Sequence, residues 1–248
     1  MISVCIATYN GSKYIKEQIH SILGQLESND ELIVSDDGST DDTISIIESF
    51  SDIRIKIFFN EKSTKFNNYL FYNTTKNFEN AINQAKGDLI FLCDQDDIWE
   101  HNKVEIIKNN IGDKNVLLHD CMVVDSCNDI IFNSYFELVN VKGRFINNII
   151  KSSYLGCCMA FKREIVDMIL PFPEFPVPHD IWIGLISEWN NDIVFINDKL
   201  IRYRRHDSNL SPSSKTSPNS LLYKIKYRVV LIDMLIARLL KFVIVKSP

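Results

Sequence analysis

Three carboxylates fall within four residues, at Asp94, Asp96 and Asp97. The run 88–93 before them is largely apolar, and residues 98–99 after them are apolar as well. Carboxylates this close repel one another unless positive charge lies among them, and oxygen ligands of this kind suit Mg²⁺ or Mn²⁺ bridging a diphosphate. A polar turn with solvated carboxylates is the alternative. Because the apolar run predicts a buried strand that carries the cluster to the end of a sheet, we favour the metal site.

A second acidic segment, Asp36-Asp37-Gly38-Ser39, follows another apolar run. A single aspartate is enough for an Asx turn and a helix cap, which Asp and Ser commonly form. The alternative is that one carboxylate accepts hydrogen bonds from a nucleotide base or ribose. The spacing alone leaves both interpretations open.

His179 and Asp180 follow a segment with four prolines and directly precede an apolar helical stretch. The aspartate could cap this helix, or it could be a general base that removes a proton from an acceptor hydroxyl. Further along, His206 follows Arg204 and Arg205. These arginines could form a solvated edge or bind phosphate, and a lone histidine is more often structural or exposed than a ligand. The residue types do not decide between these roles.

The first hundred residues predict strands that alternate with helices. The predicted strands are 2–7, 31–35, 54–59 and 88–93, and the predicted helices are 12–26, capped by Ser12, 39–47, capped by Ser39 or Thr40, and 77–85. This alternation indicates a parallel sheet in a doubly wound α/β half, whose ligand crevice lies at the carboxyl ends of the strands. Polar clusters end three of these strands, at 8–10, 36–37 and 94–97. We therefore expect all three clusters at one rim.

The second half of the sequence is less regular. It predicts strands at 116–124, 129–132, 157–161, 193–197 and 200–204, helices at 164–170 and 181–189, and a loop or linker at 207–220. The prolines within 171–178 force an extended loop. This loop would deliver His179 and Asp180 to the site.

The chain has 248 residues, of which 46% are hydrophobic, enough for one large α/β domain with an appendage. Its net charge is −5, but residues 220–248 carry six basic residues against one acidic residue, which leaves about −10 for the rest. So acidic a body excludes a general nucleic-acid binder.

The six cysteines form no C-x-x-C pair and favour a reducing compartment. Nothing at the N-terminus resembles a signal peptide, so we expect a cytoplasmic protein.

Five motifs occur in order: Ala7-Thr8-Tyr9-Asn10-Gly11, Ser35-Asp36-Asp37-Gly38-Ser39-Thr40-Asp41, Cys93-Asp94-Gln95-Asp96-Asp97-Ile98-Trp99, His179-Asp180-Ile181-Trp182 and Tyr203-Arg204-Arg205-His206-Asp207-Ser208-Asn209. Together they resemble glycosyltransferase family 2, bacterial polysaccharide enzymes of the GT-A fold, and above all its rhamnosyltransferase-like branch of O-antigen and capsule enzymes. The resemblance implies a Rossmann-like, mostly parallel α/β sheet flanked by helices. It also implies a GT-A domain at 1–211, with a nucleotide-sugar-binding half at 1–99 and an acceptor-binding half at 100–211. A linker and a basic amphipathic helix would occupy 212–248.

The resemblance further implies roles for individual residues. The nucleotide or the donor sugar would be contacted by Thr8, Tyr9, Asn10, Asp36, Asp37, Asp94, Gln95, Asp97 and Arg204. Mn²⁺ or Mg²⁺ would be held by Asp94, Asp96 and His206, and the catalytic base would be Asp180. The acceptor side would include Trp99, Gly156 and Trp182. The acceptor hydroxyl would attack the anomeric carbon from the face opposite the leaving diphosphate. One displacement of this kind inverts the anomeric configuration.

The substrates and the class of activity are less sharply defined. Chains of this type use UDP-galactose, UDP-glucose, their N-acetyl forms or dTDP-rhamnose, and the acceptor is often a lipid-linked saccharide at the inner membrane surface. A catalytically inactive module that binds nucleotide or carbohydrate is the alternative, although the intact carboxylates favour an enzyme. A nucleotidyltransferase would normally show a Gly-rich loop with a basic residue after its first strand, which residues 8–11 lack. Three features depart from the family pattern: the long segment 62–76, Asp207 where Gly is common, and the adjacent cysteines Cys157-Cys158.

The C-terminal segment carries apolar residues in alternating three- and four-residue steps, which predicts an amphipathic helix. The stripe consists of Leu222, Ile225, Val229, Ile232, Ile236, Leu239 and Val243. It could pack on the domain, pair with a second copy in a homodimer, or lie on anionic lipid that attracts the flanking Lys and Arg residues. Charged residues interrupt the segment too often for a transmembrane span. We favour association with the membrane surface.

Overall fold

The computed structural model describes residues 1–61, 69, 71–141, 145–206, 209 and 220–246. Four parallel strands form its first half, in the order β3-β2-β1-β4. They are β1 (Ile2–Thr8), β2 (Glu31–Asp36), β3 (Ile55–Phe59) and β4 (Leu89–Asp94). The helices of this half are α1 (Ile15–Leu23), α2 (Thr43–Glu48) and α3 (Tyr72–Gln84). This arrangement confirms the predicted doubly wound α/β half.

Helices cover the central strands, which explains the nearly continuous apolar sequences of those strands. β2 is buried along its whole length, and β4 is buried up to its last residue. On α1, Ile15, Ile19 and Ile22 share one face and are buried in the core. The parallel register holds the carboxyl ends of β1, β2 and β4 side by side.

The second half extends the same sheet in the order β4-β8-β6-β9-β5, with β7 paired to β6. Its elements are β5 (Ile98–Trp99), α4 (Lys103–Asn110), β6 (Val116–Val124), β7 (Ile130–Phe132), α5 (Tyr135–Val139), α6 (Phe145–Ile150), β8 (Met159–Lys162), α7 (Val166–Ile169), α8 (His179–Trp189), β9 (Ile193–Arg204) and α9 (Leu221–Lys246). β8 runs antiparallel to both β4 and β6. The sheet is therefore mixed in this half, as in the GT-A arrangement.

Two helices begin later than the sequence predicts, because the residues expected as their caps have other partners. α1 begins at Ile15, and the backbone N–H of Ser12 donates instead to Asp41. α2 begins at Thr43, since Ser39 is held by Asp36 through its hydroxyl. By contrast, α3 begins at Tyr72, five residues before the predicted start.

Two predicted strands, 193–197 and 200–204, are joined in the structure as β9. It pairs in parallel with β6 across both parts, and register shifts on either side of Asp120 accommodate the exposed polar residues 197–199. The predicted strand at 157–161 instead starts with a 3₁₀ turn, Gly156–Cys158, and continues as β8. Asp207, most of the predicted loop 207–220 and the greater part of 62–70 lie outside the described residues.

Helix α9 packs on the second half of the domain, but not through the predicted stripe. Leu231 and Leu235 are its buried residues, and the Arg238 guanidinium donates to the carbonyl groups of Met168 and Leu170. The stripe residues Leu222, Ile225, Val229, Ile232 and Ile236 are exposed instead. Packing on the domain was one of the alternatives left open, and the helix packs there through a neighbouring face rather than through the stripe. Among the described residues, no helix is long and apolar enough to cross a membrane.

Substitution on the two faces of α9 should have different effects. We expect Leu235→Ala to make local opening of α9 easier by about 2–5 kcal/mol, because it leaves a cavity in the interface with the domain. The measurement is the rate of tryptic cleavage within α9 at fixed protease concentration. Ile236→Ala is the matched control, since this neighbouring side chain is half exposed, and it should leave the rate unchanged. Equal rates for the two variants would contradict the observed orientation of the helix.

Candidate active site

The three polar strand ends meet at one rim, as the parallel register requires. The Thr8 hydroxyl at the end of β1 donates to Asp36 Oδ1 at the end of β2, at 2.9 Å. After β4, the Gln95 side chain accepts from the Tyr9 N–H at 2.9 Å and donates to the Tyr9 carbonyl at 3.2 Å. These bonds join the acidic segment of β4 to the loop that follows β1.

Asp36 forms the turn after β2, which was one of the two interpretations of this segment. Its Oδ2 accepts from the backbone N–H groups of Gly38 and Ser39, and its Oδ1 accepts from the hydroxyls of Thr8 and Ser39. Gly38 has a φ of +78°, a conformation that favours glycine. Because four donors already occupy this buried carboxylate, Asp36 can shape a nucleotide site only indirectly.

Asp37 and Asn10 flank this turn on the same rim. Asp37 Oδ1 accepts from Asn60 Nδ2 at 2.7 Å, and the Asp37 N–H donates to the Thr8 carbonyl. Asn10 Oδ1 accepts from the Thr40 N–H at 2.8 Å. The backbone of the loops after β1 and β2 is thereby held together around the predicted nucleotide-binding residues.

Asp94 and Asp97 lie beside the thiol of Cys157, and one ligating atom of each lies within 4.8 Å of the others. Asp97 is 1% exposed, and its Oδ1 accepts from the Arg204 N–H. Its Oδ2 is buried without a hydrogen-bond partner in the part of the chain that the structure describes. A buried carboxylate oxygen in this position is costly unless a cation binds it. The donor set therefore fits a divalent cation.

The electrostatics of this cluster agree with that fit. Burial, followed by the charge of Asp96, raises the pKa of Asp94 to about 7. Burial and the neighbouring charges of Asp96 and Asp94 raise the pKa of Asp97 well above its ordinary value. Hydrogen bonding with the Cys157 thiol, which has a single proton for one carboxyl group or the other, lowers their pKa values. A cation among these groups would restore their ionised forms.

Asp96 and His206, two of the three predicted metal ligands, are brought together across 110 residues of sequence. His206 Nε2 lies 2.8 Å from Asp96 Oδ2, and Asn209 Nδ2 donates to the same oxygen at 3.1 Å. The His206 ring stacks on Tyr14 with ring centroids 4.9 Å apart. Asn209 and Tyr14 were not predicted as site residues. Asn209 lies three residues after His206, and this spacing of one turn is the sequence feature that could have indicated that the two side chains lie together.

Arg204 stabilises the loop that contains Asp96 and Asp97 through hydrogen bonds inside the protein. It is buried, its Nε donates to the Asp96 carbonyl at 2.9 Å, and its Nη2 donates to Glu17 at 2.6 Å. The guanidinium also lies over the Tyr14 ring. Because its donors have partners inside the protein, Arg204 holds the loop rather than presenting itself to a diphosphate, which corrects the predicted direct contact.

Asp180 lies at the first turn of α8, one residue inside the helix, whose N-cap is Pro178. The neighbouring Ile181 N–H donates to Asp180 Oδ1 at 2.8 Å, and burial raises the pKa of Asp180 to about 6. Its charge also contributes to the raised pKa of Asp94, so the two carboxyl groups are near neighbours. A carboxylate with this pKa can accept a proton near neutral pH.

His179 positions this end of α8. Its ring packs on Phe78 with centroids 4.1 Å apart, and burial lowers its pKa to about 3, so the ring is neutral. A Cβ atom added to Gly156 would lie 2.4 Å from His179 Nε2. Gly156 therefore allows α8 to approach the turn that carries Cys157, which is a packing role and not an acceptor contact.

Trp99 and Trp182 are the two aromatic residues predicted to lie on the acceptor side. Trp99 is 3% exposed and packs on Phe91, and Trp182 is 1% exposed and donates from Nε1 to the Ile169 carbonyl. Both rings therefore lie in the core, and their contact with the acceptor stays a prediction. Large aromatic side chains next to polar motifs support the site from the core.

Lys103 is a site residue that the sequence analysis missed. Its side chain is 0% exposed, its Nζ donates to the Cys157 carbonyl at 2.9 Å, and it lies 4.2 Å from the centroid of the Trp99 ring. Its ammonium group opposes the raised pKa of Asp94. The sequence feature that could have indicated its burial is its spacing of four residues from Ile107, which places Lys103 on the inner face of α4.

Comparison with known proteins agrees with this geometry. The profile of Glycosyl transferase family 2 matches residues 3–170. The UDP-Glc:alpha-D-GlcNAc-diphosphoundecaprenol beta-1,3-glucosyltransferase WfgD of Escherichia coli is 28% identical over 233 residues, with 85% of this chain and 79% of WfgD covered.

Two solved structures show the same architecture. S. aureus TarS 1-349 in complex with UDP-GlcNAc superimposes with a TM-score of 0.67 at 22% identity, over 92% of this chain and 65% of the TarS 1-349 chain. The present chain thus spans slightly less than two thirds of that relative. Glucosyl-3-phosphoglycerate synthase from Mycobacterium tuberculosis, in complex with Mn²⁺, UDP and phosphoglyceric acid, gives a TM-score of 0.55 at 19% identity, over 83% of this chain and 71% of the synthase.

At these identities the structural likeness establishes a GT-A-like fold. The family match is stronger, because it covers most of the chain and includes the ends of β1, β2 and β4, where the polar rim lies. The chain belongs to glycosyl transferase family 2.

Proposed function

We propose that this protein is a metal-dependent, inverting glycosyltransferase that moves a hexose or deoxyhexose from a nucleotide-diphosphate sugar to an acceptor hydroxyl. The observation that carries the proposal is the convergence of Asp94, Asp97 and the Asp96–His206 pair, whose Oδ2 and Nε2 atoms lie 2.8 Å apart, at the rim where the strand ends meet. Asp180 is near enough for its charge to raise the pKa of Asp94. Membership of the family supports the class of reaction. The charged groups named here would bind the cation and accept the proton that this reaction requires.

The donor half of the site would be the rim of β1, β2 and β4. Thr8, Tyr9, Asn10 and Asp37 surround the position expected for the base and ribose, while Asp36 and Gln95 hold the loops in shape. The proposed donors are UDP-glucose, UDP-galactose, their N-acetyl forms or dTDP-rhamnose. The named donor of WfgD, UDP-Glc, supports a uridine nucleotide.

Asp94, Asp96 and His206 would hold Mn²⁺ or Mg²⁺. When bound, this ion would neutralise charge that develops on the departing diphosphate. Asp96 and His206 already lie within hydrogen-bonding distance, so little rearrangement is required of them. The Mn²⁺ and UDP in the mycobacterial synthase complex support this assignment.

Asp180 would accept the proton of the acceptor hydroxyl. Its raised pKa gives it more proton affinity than an exposed aspartate, yet leaves it ionised at neutral pH. His179 and Gly156 fix the start of α8 and thus the direction of this carboxylate. With the base on the acceptor side and the diphosphate opposite, a single displacement inverts the anomeric carbon.

The acceptor that we propose is a lipid-linked saccharide of bacterial surface polysaccharide synthesis, at the inner face of the cytoplasmic membrane. The diphosphoundecaprenol acceptor in the name of WfgD supports this class. The outward apolar stripe of α9 would lie on the lipid surface. Lys226 and Lys241 are exposed on the same helix and would favour anionic headgroups.

Removal of the base should abolish both the turnover and its pH dependence. We expect Asp180→Asn to lower kcat by roughly 10²–10⁴-fold, because a positioned general base contributes about that much. In the unaltered protein at saturating Mn²⁺, kcat/KM should rise with pH through about 6, since burial raises the pKa of Asp180 to about 6 and only the ionised form accepts a proton. Asp167→Asn, at an exposed position of α7, is the control. Full turnover by Asp180→Asn would exclude this residue as base.

Metal dependence can be tested in a donor screen with Mn²⁺ and with EDTA, using a lipid-diphosphate GlcNAc or GalNAc analogue as acceptor. We expect transfer from one nucleotide sugar with Mn²⁺ and its loss with EDTA. Asp96→Ala should reduce transfer by at least about 10²-fold, whereas Asp113→Ala, on an exposed turn, should not. Transfer that persists in EDTA would contradict the metal assignment.

Membrane association can be measured by sedimentation with anionic phosphatidylglycerol vesicles. We expect the intact chain to sediment and the triple variant Ile225→Ser, Val229→Ser, Ile236→Ser to remain in the supernatant, because the stripe supplies the buried apolar area. Ile53→Ser, which removes a 92% exposed isoleucine elsewhere, is the control. Sedimentation of the triple variant would contradict the lipid role. A stripe-dependent dimer without lipid binding would assign α9 to self-association.

A further inference from the structure

The proline-rich segment 171–178 leads directly into α8 and thereby determines where the first turn of that helix lies. Its four prolines have no N–H group, so a regular backbone ladder cannot hold it. Side chains of two helices hold it instead. From α3, the Thr75 hydroxyl donates to the Val177 carbonyl at 3.3 Å, and Glu79 accepts from the Phe172 N–H at 3.2 Å. These bonds fix the segment to the first half of the domain.

The second of these helices is α9, which reaches the segment through Arg238. Its Nη1 donates to the carbonyl groups of Met168 and Leu170, both at 3.0 Å, and its Nη2 donates to the Pro171 carbonyl at 2.5 Å. The same guanidinium lies over the Trp182 ring of α8, 5.3 Å from the ring centroid. One side chain of α9 therefore contacts both the chain that enters the segment and the helix that leaves it.

Tyr227 brings α9 close to the proposed base. Its ring packs on Phe175, within the proline-rich segment, with ring centroids 5.8 Å apart. Burial, followed by the charge of Asp180, raises the pKa of Tyr227, so the phenol and the carboxyl group are near neighbours. Leu231, one turn further along the same face of α9, is buried against the domain. Tyr227 thus belongs to the packing face of the helix and not to its exposed apolar stripe.

We propose that α9 is part of the acceptor site, in which Tyr227 and Arg238 are positioning residues that hold segment 171–178, and with it Asp180, in place for the acceptor hydroxyl. This inference rests on the function proposed above, where Asp180 accepts the proton of that hydroxyl. A general base acts within hydrogen-bonding distance, and a displacement of about 1 Å can lower a rate roughly 10²-fold. Because the stripe and these contacts lie on one helix, α9 would bring a membrane-bound acceptor and the base together.

The kinetic test uses the full chain and a short-chain, water-soluble GlcNAc-diphosphate acceptor without vesicles, so that lipid binding by α9 does not enter the measurement. We expect Tyr227→Ala and Arg238→Gln each to lower kcat by roughly 10–10²-fold, with the KM for the nucleotide sugar within about twofold of the parent value. Tyr227→Phe keeps the ring that packs on Phe175 and should retain at least about half of the parent kcat. Asp233→Asn, at an exposed position of α9, is the control.

Amide hydrogen exchange reads the same contacts without any activity. The N–H groups within 172–182 should exchange at least about fivefold faster in Tyr227→Ala and in Arg238→Gln, because α9 no longer holds the segment. The N–H groups of β1 should exchange at the parent rate. Melting curves identify a variant that does not fold, and the other variant then carries the test.

Folded Tyr227→Ala with the parent kcat would overturn the proposal. So would Tyr227→Phe with a kcat as low as that of Tyr227→Ala, since the ring would then not be the positioning group. A loss of affinity for UDP with Mn²⁺ as large as the loss of kcat would also overturn it, because the damage would not be confined to the acceptor side.

The two measurements separate this inference from the function on which it rests. If exchange becomes faster in the variants but the parent protein transfers no sugar from any donor, α9 holds the segment and the proposed function fails. If the parent transfers sugar and the variants change neither exchange nor kcat, the proposed function stands and the role of α9 fails.

Discussion

Asp94 and Asp97 lie together at the carboxyl end of β4, where burial and the charge of Asp96 between them raise the pKa of both carboxyl groups. Much of the surrounding structure can be understood as a response to this constraint. The buried cations Lys103 and Arg204 hold the backbone on either side, at the carbonyl groups of Cys157 and Asp96. Gln95 fixes the same loop to the end of β1. A bound cation would remove the remaining repulsion, which is why a site of this kind favours a metal complex of a diphosphate.

The second half of the domain carries Asp180, the proposed base, to this cluster. Gly156 gives His179 the space to pack against the turn that contains Cys157, and His179 in turn fixes the start of α8. Asp180 is thereby held at the edge of the acidic site, close enough for its charge to affect Asp94. The sheet order is what makes this possible, because β8 pairs with β4 and places the Gly156–Cys158 turn directly beside the end of β4.

The strand ends could be predicted from sequence because parallel strands with apolar runs necessarily end at one edge. The motif order was sufficient to identify the family, which the profile match confirms. What sequence could not provide was the direction of individual side chains. Trp99, Trp182 and Arg204 occur next to polar motifs but point into the protein, and Lys103 is charged yet buried. Likewise, the apolar stripe of α9 was recognised, but a neighbouring face packs on the domain, since Leu231 and Leu235 are the residues that meet complementary surface.

The central claim is that the acidic cluster and a nucleotide diphosphate bind a divalent cation together. Calorimetric titration of UDP and of dTDP into the full chain, with Mn²⁺ and with EDTA, tests this claim most directly, because it requires neither the sugar nor the acceptor. We predict that one of the two nucleotides binds at least about tenfold more tightly with Mn²⁺, and that Asp96→Ala removes the difference. Equal affinity of the unaltered protein for both nucleotides with and without Mn²⁺ would contradict it.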